Sequence, residues 1–534
     1  MWIKVNNLSL SIEEDINTLK TKAAKKLKLS EKDIRDFRIC KESIDARKKD
    51  NIKFNYAVEI TCDNLEKVAK KANDKDVTIE NVKYNAEIEF GSEKLNTRPI
   101  IVGMGPAGLF AGLIMAQKGY KPIIIERGED VDARTLAVNN FWKNGKINVQ
   151  SNVQFGEGGA GTFSDGKLTT RTKDYRGAYV LEELVKAGAP EEILYMAKPH
   201  IGTDILKNVV KTIRKEIIKL GGEVRFKSKL EDIIIKDNNV KEIIVNGEKI
   251  PCEVLILAIG HSARDTYEML FKRGIFMMSK PFAIGFRVEH PQDLINENQY
   301  GKYKNHPRLK AAEYKLTNTS KSTGRGVYSF CMCPGGHVVA AASEENTVVV
   351  NGMSNYKRDN VNANSAIVVS VGPDDFGSDS PIAGIEFQRK YERLAYEVGG
   401  KNYNAPVQLV EDFLNDRKST KLKGVTPTYA PGVEFSELKN CIPKYVVDSI
   451  KESMPVFNRR IRGFAEGGAI FTGVETRTSS PVRISRNEED VSISTKGLYP
   501  AGEGAGYAGG IISAAIDGLK VAENVIKKYN IPNY

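Results

Sequence analysis

Arg98-Pro-Ile-Ile-Val-Gly-Met-Gly-Pro-Ala-Gly108 decides the fold of this chain. It reads as a short buried strand running into a glycine turn, followed by an apolar helical run, Leu109–Ala116, that Gly119 stops. A second apolar run, Pro122-Ile-Ile-Ile-Glu126, ends in an acid 18 residues beyond Gly108. Gly103, Gly105 and Gly108 have the G-x-G-x-x-G spacing, and each glycine has a physical task. Gly103 permits the tight turn, Gly105 lets backbone approach a pyrophosphate, and Gly108 lets helix and strand pack closely. Pro106 and Ala107 form the first turn of the helix, whose free N–H groups and positive dipole end face the phosphates. Glu126, with Arg127 after it, stands where a ribose is held. Strand, turn, helix and acid in register point to a dinucleotide site, which a lone glycine motif would not.

A second segment near the C-terminus has the same grammar. Gly497-Leu-Tyr-Pro-Ala-Gly-Glu-Gly-Ala-Gly-Tyr-Ala-Gly-Gly-Ile-Ile512 reads as strand, glycine-rich turn and helix start, with the helix running to about Lys528. A long dinucleotide such as FAD often needs contacts from distant segments, whereas an NAD site is usually completed locally. The pairing of an early and a late motif resembles FAD enzymes of the glutathione-reductase-like superfamily. The resemblance implies that the late Gly-acid motif holds the ribitol through a carboxylate. Here that motif is Gly502-Glu503, one methylene longer than the usual Gly-Asp. It also implies that Gly509, Gly510 and Ile511 set backbone N–H groups beside the flavin ring.

Two middle segments add to this. Phe155-Gly-Glu-Gly-Gly-Ala-Gly-Thr-Phe-Ser-Asp-Gly-Lys-Leu168 holds five glycines in the eleven positions from Gly156 to Gly166. Such a run packs no core but can wrap a ligand, and Gly158, Gly159 and Gly161 are its candidate contacts. Val254-Leu-Ile-Leu-Ala-Ile-Gly260 is a buried strand ending in glycine, similar to the strand that passes the cofactor in FAD enzymes. Ser262 reads as a helix N-cap, and His261 as a capping or surface histidine.

Together with Ser43–Lys49, Gly260–Asp265, Phe330–Gly336 and Val474–Arg483, these segments resemble one family over essentially the whole chain. It is the bacterial FAD-dependent dehydrogenases of unknown substrate, the NAD(FAD)-utilising dehydrogenases. That resemblance implies non-covalent FAD and lends no substrate.

Composition fits a globular cytoplasmic enzyme: 41% hydrophobic and 28% charged residues in 534, enough for two or three cores. No apolar run reaches about 18 residues, the length of a membrane span. The N-terminus lacks a signal core, and six scattered cysteines form no disulfide framework. The net charge of +11 invites a nucleic-acid reading, but residues 1–95 carry 20 Lys/Arg against 18 Asp/Glu. Nucleic acid is therefore not the expected partner.

The expected architecture is α/β. A Rossmann-like FAD domain at 96–275 returns at 465–534, an α+β substrate domain is inserted at 276–464, and a ferredoxin-like α+β domain occupies 1–95. The last has the order strand (2–10), helix (12–27), strand (36–41), strand (51–61), helix (65–72), then extended residues at 82–90. It offers a docking surface for a redox protein, a cover for the active site or a dimer contact.

No second strand–GxGxxG–helix–acid unit is present, so no separate nicotinamide domain is expected. C-x-x-C is also absent, as is C-x4-C after the first FAD strand. NADH or NADPH as a transient reductant must then share the flavin pocket, unless electrons come from a protein.

Three sets of residues in and beside the insert are candidates for chemistry. Cys331 and Cys333, expected on one face of a strand, read as buried strand cysteines, as a redox pair, or with His337 as zinc ligands lacking a fourth. Arg477 and Arg483 can grip an anionic substrate bidentately or serve as interdomain ion pairs. Residues 302–325, with seven Lys/Arg and one acid, read as a solvated loop or as a surface for an anionic substrate, an NADPH phosphate or RNA. The expected function is an FAD-dependent oxidoreductase that moves a hydride or two electrons to a small, anionic substrate. The alternatives are a flavin-dependent RNA-modifying enzyme and a flavoprotein electron carrier or redox sensor.

Overall fold

The computed structural model describes residues 1–80, 88–170 and 172–532. The fold is mixed α/β. At its centre is a parallel sheet of five short strands, in the order Leu498–Pro500, Leu255–Leu257, Ile100–Val102, Ile123–Ile125 and Glu223–Arg225. The first four strands are wholly buried, as both faces are covered. On one face lies helix Pro106–Gln117, of which every residue from Ala107 to Ala116 is buried. A helix apolar on all sides must be enclosed on all sides. Helices Ile511–Lys528 and Thr203–Lys219 enclose it, the former so closely that a Cβ on Gly518 would meet Ala107 O at 2.1 Å. An antiparallel ribbon, Leu230–Lys236, Asn239–Val245 and Glu248–Pro251, branches from this layer. Asp237 and Asn238, both at positive φ, make its first turn.

The N-terminal strands Trp2–Ser11, Asp36–Asp45, Lys53–Thr61 and Val77–Glu80 form a separate antiparallel sheet. Val77–Glu80 pairs with Trp2–Ser11, then Lys53–Thr61 follows, with Asp36–Asp45 at the far edge. Helices Thr18–Leu27 and Leu65–Ala72 connect them. The first helix starts at Thr18 rather than at Ile12. The Asp15 carboxylate accepts from Asn17 N (2.9 Å) and the Asp15 carbonyl from Thr18 N (3.1 Å), a turn that competes with the helix. Most of the expected extended segment at 82–90 lies outside the described residues. Arg308 fixes this sheet to the insert by donating to the carbonyls of Ser11, Ile12 and Glu14 and to Tyr56 Oη.

The inserted region holds a seven-stranded sheet. Its central strands Asn362–Val371, Phe282–Pro291 and Ile470–Glu475 are antiparallel, and helices Ala383–Val398 and Lys444–Arg460 pack against the sheet. The second helix runs through Pro455. The sheet also corrects one boundary. Ile470–Glu475 pairs with Phe282–Pro291 on one side and Ala405–Leu409 on the other, so a division at 465 would cut the sheet. The chain leaves this layer only after Glu475, and Val482–Ile484 then pairs with Met277–Ser279.

Candidate functional site

One cleft lies where the parallel sheet, the glycine run 156–166 and the inserted sheet meet, and its lining draws on segments from Val102 to Ala514. Gly103 leaves strand Ile100–Val102 at φ +97, where a Cβ would meet Ala258 O at 2.4 Å. Gly105 caps the helix in an extended conformation, with Pro106 at its first position and Ala107 next. All four line the cleft. Gly108 does not line it; its Cβ would meet Gly103 O at 1.9 Å, so it serves the strand–helix approach.

Glu126 does more than the sequence indicated. Its carboxylate accepts from Met104 N (2.9 Å), Gly128 N (2.8 Å) and Gly156 N (3.0 Å). It staples the first glycine turn to the later glycine run. A carboxylate has about four lone-pair sites, so about one is left for a ribose hydroxyl. Arg127 lines the cleft beside it, stacked 4.5 Å from the Phe155 ring and paired with Asp265 at 2.6 Å.

The glycine run is held by Arg134, which sequence reasoning missed. Its buried guanidinium donates to the carbonyls of Asn152 (2.8 Å), Val153 (2.9 Å) and Glu157 (2.6 Å). Its position on an amphipathic helix gave no signal of this clamp. Gly159 and Gly161 line the cleft, whereas a Cβ on Gly158 would collide with Thr162 Oγ1 at 2.1 Å, a matter of loop packing. From the late segment, Glu503, Gly509, Gly510 and Ile511 line the cleft. Gly502 faces Ala107 instead, and its N–H donates to Asp517 at 2.6 Å.

The glycines test whether a large ligand fits. A Cβ built on Gly260, Gly509 or Gly510 meets nothing within 4 Å, and on Gly105 only Gly159 Cα at 3.8 Å. Gly105 and Gly509 also lack the positive φ that would call for glycine. No protein atom crowds a side chain there, so their bareness serves whatever occupies the cleft. An extended dinucleotide fits that pattern.

His261, Ser262, Asp165, Lys167, Glu475 and Asn351 also line the cleft. Burial, with Arg477 and Arg264 nearby, lowers His261 to about 3, so it is neutral at physiological pH. Burial pushes the Glu503 carboxyl up to about 7 against the opposing effects of Lys280 and the Gly510 N–H. Asp165 pairs with Lys167 (2.7 Å) and with Arg358. Despite its burial, these two cations hold its pKa well below the usual carboxylate range.

The two arginines do not form a free fork. Arg477 lines the cleft, but its Nε and Nη2 are bonded to Glu392 (3.0 and 2.9 Å) and its Nη1 to Ser343 and Ser262 (2.6 and 3.1 Å). Arg483 lies off the lining, its Cζ 5.0 Å from the Tyr507 ring centroid and its Nη2 toward Gly506 O. The basic residues of 302–325 contribute nothing to the lining. Lys304, Arg308, Lys310 and Arg325 are engaged with Asp293, the N-terminal sheet, Glu192 and Asp375. The exposed stripe facing the cleft that RNA binding would require is therefore not formed.

Cys331 lines the cleft while Cys333 is fully buried behind it. They are not on a regular strand. The ladder between Gly326–Cys333 and Asn362–Val371 shifts register between Phe330 and Cys333, and Cys331 has φ +42. This β-bulge is the correction to the expected flat strand. His337 hydrogen-bonds Asn360, and among the described residues no three His, Cys, Asp or Glu side chains gather as metal ligands.

With this geometry in hand, comparison with known proteins gives the class: residues 281–478 match the family model "FAD-dependent protein, C-terminal domain-like". Residues 2–61 match a domain of unknown function. A curated Clostridium beijerinckii protein described as uncharacterised is 58% identical over 532 residues, covering 100% of both chains. The chain belongs to the same family as that Clostridium protein, and FAD is its cofactor. Among solved structures, L-proline dehydrogenase from P. horikoshii is 12% identical, with 82% of this chain and 96% of that chain covered and a TM-score of 0.35. CtdE in complex with FAD is 13% identical, with 80% and 84% covered and a TM-score of 0.29. No helix among the described residues is long and apolar enough to cross a membrane.

Proposed function

We propose that this protein is an FAD-dependent oxidoreductase in which a hydride or two electrons pass through non-covalent flavin to a small molecule entering the cleft between the parallel sheet and the inserted sheet. Bound there, FAD supplies the two-electron chemistry and the chain supplies position and electrostatics. The observation that carries the reading is the set of cleft-lining glycines from distant segments, Gly105, Gly260, Gly509 and Gly510, at which a Cβ would meet no protein atom closer than 3.8 Å. In this reading Gly105–Ala107 present the helix N-terminus to the pyrophosphate and Glu126 keeps its remaining lone pair for a ribose. Glu503 takes the ribitol, and Gly509–Ile511 lie beside the flavin ring.

The anionic substrate loses its support. Among the described residues the three cations lining the cleft, Arg127, Lys167 and Arg477, each have a carboxylate partner. An uncharged or zwitterionic substrate suits such a lining better. The reductant in this proposal is NADH or NADPH, visiting the same cleft. Anaerobic stopped-flow mixing with each tests this, followed by reoxidation with a panel of small acceptors. Flavin bleaching by neither nucleotide would reject the nicotinamide part, and no acceptor-dependent reoxidation would leave an electron carrier.

The assignment of Glu503 makes a prediction with a sign. In the free protein its carboxyl keeps a proton up to about pH 7 because burial disfavours the charge. Ribitol hydroxyls donating to it favour the ionised form. FAD binding then releases a proton, so affinity rises with pH toward 7 and levels off above it. Glu503→Gln should abolish that slope. Glu503→Ala should weaken FAD by roughly ten- to a hundredfold, for a charged hydrogen bond of about 1.5–3 kcal/mol, and Glu503→Asp by less. Flavin fluorescence titration across pH reads all three, and a flat wild-type profile would remove Glu503 from the ribitol.

A further inference from the structure

The bulge at Cys331 makes possible what a regular strand would prevent. Residues two apart on a strand are separated by about 6.6–6.8 Å, whereas the Cβ atoms of a disulfide lie about 3.5–4.5 Å apart. Here Cys331, at φ +42, breaks the regular extension of the strand between the two cysteines. The Cys333 Sγ reaches Cys331 O at 3.4 Å. Two cations clamp the bulge through its carbonyls. Arg287 Nη1 donates to Cys331 O at 3.1 Å and Lys167 Nζ donates to Met332 O. Arg287 is fixed in turn by its buried pair with Glu475, at 2.9 Å. A clamped bulge, a Cys333 thiol folded back onto the Cys331 backbone and a Cys331 on the cleft form an arrangement that packing alone does not call for.

We propose that Cys331 and Cys333 form a dithiol/disulfide couple that exchanges an electron pair with FAD, with Cys331 facing the cofactor and Cys333 as its buried partner. The neighbouring Cys333, with Arg287 and Lys167, lowers the Cys331 pKa against the cost of burial, while Cys331 and burial raise that of Cys333. Cys331 is accordingly the thiolate and Cys333 the thiol. Oxidation forms one S–S bond and breaks the Cys333 S–H bond. Two electrons and that proton pass to oxidised FAD, giving the reduced anionic flavin, and charge and atoms balance without another reactant. In reverse, reduced flavin opens the disulfide. The protein then stores two electron pairs, one of them on sulfur, where a disulfide-bearing molecule can collect it by thiol–disulfide exchange.

This inference rests on FAD occupying the cleft as proposed above, and the test separates the two. The holoprotein, oxidised with ferricyanide and desalted, is titrated anaerobically with dithionite while flavin absorbance is followed. Each couple takes two electrons, so wild type should consume about four electrons per FAD, and Cys331→Ser and Cys333→Ser about two. In parallel, the oxidised protein is denatured and alkylated with iodoacetamide. The peptide carrying both cysteines should stay unmodified until reduced, then gain two carbamidomethyl groups. Wild type that bleaches fully with about two electrons, or that is alkylated at both positions when oxidised, overturns the couple while leaving the flavin site intact. A protein that holds no flavin to bleach overturns the cleft reading instead. If either serine variant fails to fold, the two wild-type measurements decide.

Discussion

Gly105→Val is expected to give a folded protein without FAD. Gly105 sits in extended backbone, which valine adopts freely, and a Cβ there meets only Gly159 Cα at 3.8 Å. The apoprotein should therefore keep its fold and thermal stability nearly unchanged. The isopropyl group instead projects over the helix N-terminus, where the pyrophosphate would take N–H groups. Two hydrogen bonds to a charged group, at about 1.5–3 kcal/mol each, correspond to ~10²–10⁴-fold weaker binding. Flavin content after purification, with circular dichroism of the same sample, checks both halves. Gly103→Val is the contrast: at φ +97, with Ala258 O 2.4 Å from a Cβ, it should damage the fold itself. A yellow Gly105→Val protein with wild-type FAD affinity would show that the pyrophosphate lies elsewhere.

The second large effect belongs to Glu392, which the sequence did not mark. It is wholly buried and lies between two guanidinium groups, bonded to Arg264 (2.6 and 2.8 Å) and Arg477 (3.0 and 2.9 Å) and accepting from Thr476 Oγ1 (2.7 Å). These contacts join helix Arg264–Lys272, inserted helix Ala383–Val398 and the segment returning to the parallel sheet. The two arginines hold the Glu392 carboxyl far below the usual carboxylate range in spite of its burial, so it is ionised at any working pH. Glu392→Gln would leave two like charges buried together, at a cost of about 3–5 kcal/mol. For a chain of 534 residues the unfolding midpoint should fall by roughly 3–5 °C. Glu344→Gln, which removes a partner that is 29% exposed and leaves Arg264 its pair with Glu392, should cost less than Glu392→Gln. Differential scanning fluorimetry of the two variants makes the comparison, and equal midpoints would mean that the triad does not hold the layers together. Because Arg477 belongs to this triad, its substitution by lysine should register first in stability.

The parts of the site visible in the sequence were those governed by local rules. Gly103-Met-Gly-Pro-Ala-Gly108 announced itself because a strand, a tight turn and a close helix approach each restrict residue type at fixed spacing. The C-terminal glycine segment was legible for the same reason, as were the apolar runs that became the parallel strands. The strands read at 2–10 and 51–61 correspond to Trp2–Ser11 and Lys53–Thr61. Where a short polar cluster competed with periodicity, as at Asp15, the boundary moved by several residues.

The sequence by itself determined the glycine turn–helix units that line the cleft, because backbone conformation and hydrophobic period are set by near neighbours. Tertiary structure decided what each charged or sulfur-bearing side chain does. Arg477 meets Glu392 across 85 residues of chain, Arg287 meets Glu475 across 188, and Arg134 closes on carbonyls that no pattern advertised. Ion pairs and carbonyl clamps carry no periodic signal, since a charge is satisfied by whichever partner the fold brings within about 3 Å. The bulge that sets Cys331 on the cleft is also a product of pairing between distant strands. From sequence Arg477 was either a grip for an anion or an interdomain ion pair, and Cys331 a strand residue; only the assembled layers gave the one a buried carboxylate and set the other on the cleft.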